Sequence, residues 1–150
     1  MPNNHFKSDE LYSVINGIAS TAIARRLQKH FRQASLDITI EQWSILYHLW
    51  QQDCISQQEL CRRTYRDKPS MTRLVDNLEK QKLVKRIASK EDRRKNLICL
   101  TQSARDLQNL TIDMANQTID EALEGLNKTE IETAKKVLHR VHENLRNKKE

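Results

Sequence analysis

Two clusters of side chains combine the residue types and spacing needed to grip a phosphate polymer and read it. The first is Lys68, Pro69, Ser70, Thr72 and Arg73, packed into six positions. Arg carries a planar fork of donors that matches the two acceptors of a guanine edge in the major groove, and short hydroxyls reach phosphates or bases. A proline here suits the first turn of a helix, whose free amides face the same kind of anion. The second cluster is Lys90-Glu91-Asp92-Arg93-Arg94-Lys95, which ends in three consecutive cations. Arginine on a projecting loop is suited to a narrow minor groove, where the potential is most negative. Asp92 stands two residues before Arg94 and could accept a hydrogen bond from it, bending the loop and fixing the guanidinium's direction. Taken singly, either cluster also fits a solvated surface.

The surrounding pattern says which elements must position these clusters. From Lys68 to Gln81 the apolar residues Met71, Leu74, Val75 and Leu78 predict a helix, leaving Ser70, Thr72 and Arg73 off the buried stripe. Before it, Ser56 with Glu59 predicts a capping box that starts a short helix to about Tyr65, with a tight turn at Arg66 and Asp67. After it, Leu83–Ala88 and Asn96–Leu100 are short β-prone runs flanking Ser89–Lys95, so the second cluster falls on the tip of a hairpin. Two short helices joined by a turn and followed at once by a hairpin is the order of a winged helix-turn-helix. Flanking this are a predicted helix over 9–34, one capped by Thr39 and Gln42 that carries Trp43 to Trp50, a long helix from Thr101 to Gly125, and a last one capped by Asn127 and Glu130.

Charge and composition narrow the function classes. The net charge is +6, yet between Ser56 and Leu100 there are thirteen Lys or Arg against six Asp or Glu, and the rest of the chain has thirteen against fourteen. The whole excess is therefore concentrated on the two clusters and their supports, which is what an electrostatic footprint requires. Two glycines in 150 residues leave no room for a glycine-rich phosphate loop, and no nucleophile elbow or HExxH motif occurs, so the chain is expected not to be an enzyme and to need no cofactor. His139 and His142 lack companions for a metal site. Three cysteines, Cys54, Cys61 and Cys99, without a C-x-x-C, predict reduced thiols and a cytoplasmic protein, with Cys54 exposed and the other two packed. No apolar run approaches membrane-spanning length.

The stretches ITIEQWSILYHL, ISQQELCRRTYRDKPSMTRLVDNLEKQKLVKR and EDRRKNLICLTQSARDL resemble the MarR (multiple antibiotic resistance) family of bacterial transcriptional regulators, over nearly the whole chain. The resemblance implies a mainly α fold with a small β-wing: one domain over 1–150, a DNA-binding lobe over 39–100, and dimerisation helices over 9–34 and 101–147. It implies a homodimer on an inverted-repeat operator, expected to repress. PSMTRLVDNLE is similar to the family's recognition helix, which would assign base and phosphate contacts to Ser70, Thr72 and Arg73 in the major groove, with Lys68 and Pro69 beside them. Asp92-Arg93-Arg94 is similar to its wing signature, which would send Arg94 into the minor groove, with Arg93 and Lys95 alongside and Asp92 holding Arg94. Lys82 departs from the family, which usually has Gly there.

The resemblance further implies release of DNA by a small phenolic or lipophilic effector in a cleft between the dimer helices and the lobe. Trp43, Tyr47, His48 and Trp50 are candidates to line it, although such a cluster is also ordinary core. Oxidant sensing through a cysteine near the start of the first helix is not expected, because no cysteine stands there. Two other readings of the basic segment are a winged-helix module that binds an acidic protein and a sequence-independent architectural DNA binder.

Overall fold

The computed structural model describes residues 16–146 and 148. Helix α1 runs Ile18–Gln33 and α2 Ile40–Gln51; β1 is Ile55–Ser56; α3 is Gln57–Thr64 and α4 Lys68–Lys80; β2 is Val84–Ala88 and β3 Asn96–Leu100; α5 is Gln102–Asp106, α6 Gln108–Ala122 and α7 Lys128–Arg146. The part of the first predicted helix over 9–15 lies outside the described residues. The mainly α fold with a small antiparallel sheet is the winged helix-turn-helix expected, and the hairpin strands fall within one residue of the predicted runs.

The helices start where the chain supplies acceptors for their free amides. Thr39 accepts from the Gln42 amide while the Gln42 side chain accepts from the Thr39 amide, a complete capping box. Asn127 and Glu130 exchange the same two bonds at the start of α7. At α3 only half of the predicted box forms: Ser56 accepts from the Glu59 amide, but the Glu59 carboxylate turns away to Arg62 and Arg63. Two guanidiniums compete better for a carboxylate than one backbone amide does. The predicted long helix is interrupted at Leu107, between α5 and α6.

One core joins these elements. Phe31 from α1, Ile45, Leu46 and Leu49 from α2, Leu60 from α3, Met71, Val75 and Leu78 from α4, and Ile98 from β3 are fully buried together. The stripe read on α4 is thus the face that seats it, which turns the opposite face outward. The sheet has the order β1-β3-β2, with β3 pairing Ile55↔Ile98 on one side and Val84↔Leu100 on the other. The two-residue β1 went unpredicted because pairing partners more than forty residues away leave no local pattern.

The outer helices differ sharply from this core. No side chain of α7 is buried, and Val137, Leu138, Val141 and Leu145 are all exposed, Leu145 to 66%. Helices α1 and α6 pack together, with Glu121 pairing to both Arg26 and His30. No described helix is long and apolar enough to cross a membrane.

Candidate nucleic-acid interface

Helix α4 opens on Asp67, whose carboxylate accepts from the Ser70 amide at 2.8 Å. That bond, with the Ser70 hydroxyl and the charge of Arg73 nearby, holds the Asp67 carboxyl below its usual range. Asp67, expected in the turn, is thus the cap of α4, a role its position three residues before Ser70 suits. Pro69 sits in the first turn, where it removes an amide that has no helical partner.

Lys68, Pro69 and Arg73 are exposed, and Ser70 and Thr72 half-buried. Thr72 is the least free of the five: its hydroxyl donates to the Lys68 carbonyl at 2.9 Å and accepts from Gln57 Nε2 at 2.8 Å. It therefore braces α4 against the start of α3. Asn77 and Lys80 continue the outward face of Arg73 along the helix and line one shallow depression with Lys68, Pro69 and Thr72. Both were missed in the sequence, although their spacing of four and seven from Arg73 marked that face.

The junction from α4 to the wing is built without the family's glycine. Lys82 adopts the left-handed conformation, φ +59°, and the helix closes in a Schellman motif: the Lys82 amide donates to Glu79 O and the Leu83 amide to Leu78 O. Leu83 buries beside Leu78, the apolar contact that accompanies this motif. The helix thus ends on the left-handed position that glycine usually fills, and a lysine bears its strain. Arg86 on β2 then clamps wing to helix, with Nη2 to Asp76 at 2.5 Å and Nη1 to Glu79 at 2.9 Å. The Arg86 side chain is 22% exposed while the two carboxylates are nearly half exposed, so the pair is only partly shielded from solvent.

At the wing tip, Arg93, Arg94 and Lys95 are exposed and Asp92 half-buried. Asp92 does reach Arg94, but its carboxylate accepts from the Arg94 backbone amide at 3.0 Å and not from the guanidinium. An Asx turn of this kind competes well for a carboxylate because the amide is near and already ordered. With Lys95 donating to Asp92 O and Ser89 to Lys95 O, the tip is a compact turn, and the Arg94 side chain makes no hydrogen bond among the described residues.

On α2, Trp43 and Trp50 pack half-buried against the core, while Tyr47 is 40% exposed. Trp43 packs on Phe31, Tyr47 and Trp50, and Trp50 Nε1 donates to Ala104 O, so the ring cluster fills the seam between α1, α2 and α5. A larger cavity, about 660 Å³, lies elsewhere, between α3 and α7, lined by Arg62, Arg63, Tyr65, Arg66, His142 and Arg146. Arg66 Nε is buried there without a hydrogen-bond partner among the described residues.

The expectation of three reduced thiols is overturned: Cys54 and Cys99 are joined in a disulfide, and Cys61 alone is free. The antiparallel register that pairs Ile55 with Ile98 makes Cys54 and Cys99 the next opposed pair, a juxtaposition invisible without β1. Asp53 completes the only group of potential metal ligands among the described residues, but its carboxylate is taken up by the amides of Cys54 and Leu100 and by Arg105. His139 pairs with Glu143 and His142 stands against Tyr65, so the two do not act together.

The MarR family model matches residues 38–95, which span α2 to the wing tip. The chain is 30% identical to the transcriptional regulator PA3341, with a TM-score of 0.78 over 91% of this chain and 99% of that one. It is 29% identical to Staphylococcus aureus MepR, solved as a DNA complex, with a TM-score of 0.77 over 92% and 99% of the two chains. A curated relative, the organic hydroperoxide resistance transcriptional regulator of Bacillus subtilis (strain 168), is 28% identical over 95 residues, 62% of this chain and 65% of that protein. Members of this family are regulators and not enzymes. Helix order, wing, sequence match and fold agree: the chain belongs to the MarR family of transcriptional regulators.

Proposed function

We propose that the chain is a homodimeric repressor that binds an inverted-repeat DNA site, inserting α4 of each subunit into the major groove and the wing tip into the flanking minor groove. The observation that carries this is the coincidence of charge and exposure: the basic excess lies between Ser56 and Leu100, and its exposed cations include Arg73 on the outward face of α4 and Arg93, Arg94 and Lys95 on the wing. In this reading Ser70 and Arg73 meet bases and phosphates, Lys68 and the first turn of α4 meet the backbone, and Arg94 enters the minor groove. Thr72 and Asp92 act mainly by shaping what their neighbours present. The DNA-binding lobe is 39–100.

The helices over 9–34 and 101–147 form the dimer. The support for this is α7, whose exposed Val137, Leu138, Val141 and Leu145 repeat at helical spacing and find no cover among the described residues. Two-fold symmetry then places half-sites about one helical turn, roughly 34 to 36 Å, apart. A small anionic effector would fit the arginine-lined cavity between α3 and α7, where binding would couple the dimer helix to the helix-turn-helix.

The test is selection from a random duplex library at about 0.15 M salt. The expected result is an enriched inverted repeat. A pool that binds with a steep salt dependence but no common sequence would indicate an architectural binder, and failure to retain DNA with capture of an acidic protein would indicate an interaction module.

A further inference from the structure

We propose that Cys54 and Cys99 form a reversible thiol–disulfide site that sets how firmly the wing is held to the helix-turn-helix. Three observations carry it, and only its last consequence, for DNA, rests on the function proposed above.

The first is position. The disulfide continues the β1–β3 ladder, beyond Ile55↔Ile98 and Ser56↔Leu97, with its Cα atoms 4.2 Å apart. Ser56 is also the residue that caps α3. One covalent link therefore ties the entrance of the helix-turn-helix to the strand returning from the wing tip.

The second is the weakness of what else holds that junction. Strand β1 has two residues and pairs with β3 alone, too short a ladder to persist by itself. Besides the disulfide, that end of the ladder is held by Ile55, buried with Ile98 and Leu100, and by Asp53, which accepts from the Cys54 and Leu100 amides, each at 2.8 Å, and pairs with Arg105. Cys54 itself has φ +55°, a conformation that costs a non-glycine residue energy.

The third is the asymmetry of access. Cys54 is exposed, whereas Cys99 is 1% exposed, so a reagent from solution meets Cys54 first. Starting from the dithiol, the Cys54 thiolate attacks a low-molecular-weight disulfide and expels one small thiolate, leaving a mixed disulfide. The Cys99 thiol gives its proton to solvent, its sulfur attacks Cys54 Sγ, and the second small thiolate departs. Two electrons pass from the protein to the small disulfide, which leaves as two thiols; a reducing dithiol reverses every step. Cys61, in α3 and partly buried, has no partner within the chain and takes no part.

The experiment equilibrates the full chain in oxidised glutathione or in dithiothreitol, maps the thiols by alkylation and peptide mass, and follows backbone hydrogen exchange in 84–100. Oxidised protein is expected to link Cys54 to Cys99 with Cys61 alkylated, and reduction to speed exchange of the wing amides by about tenfold. Cys54→Ser, at an exposed position, should behave as reduced in both buffers, and Cys61→Ser should behave as wild type. Alkylation of both Cys54 and Cys99 after oxidation, or wing exchange that ignores the thiol state, overturns the proposal. Duplex affinity should fall about three- to tenfold on reduction, through the loss of a preorganised wing. A chain whose wing responds but which binds no duplex in either buffer supports the thiol site and counts against the DNA reading alone.

Discussion

Replacing Lys82 with glycine should stabilise the protein, and the size of the gain follows from the junction between α4 and the wing. Lys82 has φ +59° at the position after the helix cap, where L-residues are strained by about 1–2 kcal/mol because Cβ crowds the following carbonyl. Glycine escapes that strain but returns about 0.5–1 kcal/mol through the greater freedom of the unfolded chain. Little else changes, because the Lys82 side chain is exposed and the bonds of this residue are made by its backbone, the amide to Glu79 O and the carbonyl from the Thr101 hydroxyl at 2.7 Å. The net gain is about 0.5–1 kcal/mol, which for a chain of this size raises Tm by roughly 1–4 °C. Calorimetry on wild type, Lys82→Gly and Lys82→Ala at one protein concentration checks this, with Lys82→Ala expected to match wild type because its Cβ remains. A Lys82→Gly midpoint at or below wild type, or an equal rise in Lys82→Ala, would refute the argument that backbone strain is what this lysine bears.

Three further outcomes follow from the same structure. Glu59 is held down to about 2 by its bonds to Arg62 and Arg63, so its contribution to stability is present above its ordinary value near 4.5 and is lost as pH falls toward 2; denaturation midpoints of wild type and Glu59→Gln should differ at pH 7 and converge by about pH 2 to 3. Arg86→Met removes both bonds of the wing clamp while keeping an apolar stem, and should weaken duplex binding several-fold with an unchanged circular dichroism spectrum; Asp76→Ala, which loses one of the two, should fall between. The pair Leu138→Glu and Val141→Glu in one chain should give monomers by light scattering while the DNA-binding lobe keeps its fold, since neither side chain is buried in the subunit.

How far the fold was legible depended on how local each determinant is. Thr39 with Gln42, and Asn127 with Glu130, announced their helices because a capping box lies within four residues. The strands 84–88 and 96–100 were legible because seven residues, six of them charged, separate two apolar runs. What escaped was set by tertiary neighbours. Arg86 finds Asp76 and Glu79 only after the chain reverses at Lys82, and Cys54 finds Cys99 only through the register of β3. Glu59 and Asp92 are the right residues with other donors than expected: Glu59 takes two guanidiniums over one backbone amide, and Asp92 takes the nearby amide of Arg94 over its guanidinium. The five candidate residues of α4 do share one helical turn and a half, yet Thr72 proved partly committed to Gln57, which no pattern within α4 could reveal.

The central claim is that α4 reads base pairs while the wing grips the groove, and the affinities of Arg73→Ala and Arg94→Ala across a panel of single-base-pair variants of the selected duplex test it most directly. The account predicts that Arg73→Ala loses about 1–3 kcal/mol of discrimination at particular base pairs in each half-site, with other positions read as before. Arg94→Ala should weaken every duplex by a similar factor and reduce the salt dependence. If both variants bind the whole panel as wild type does, the surface formed by α4 and the wing tip is not the one that meets DNA.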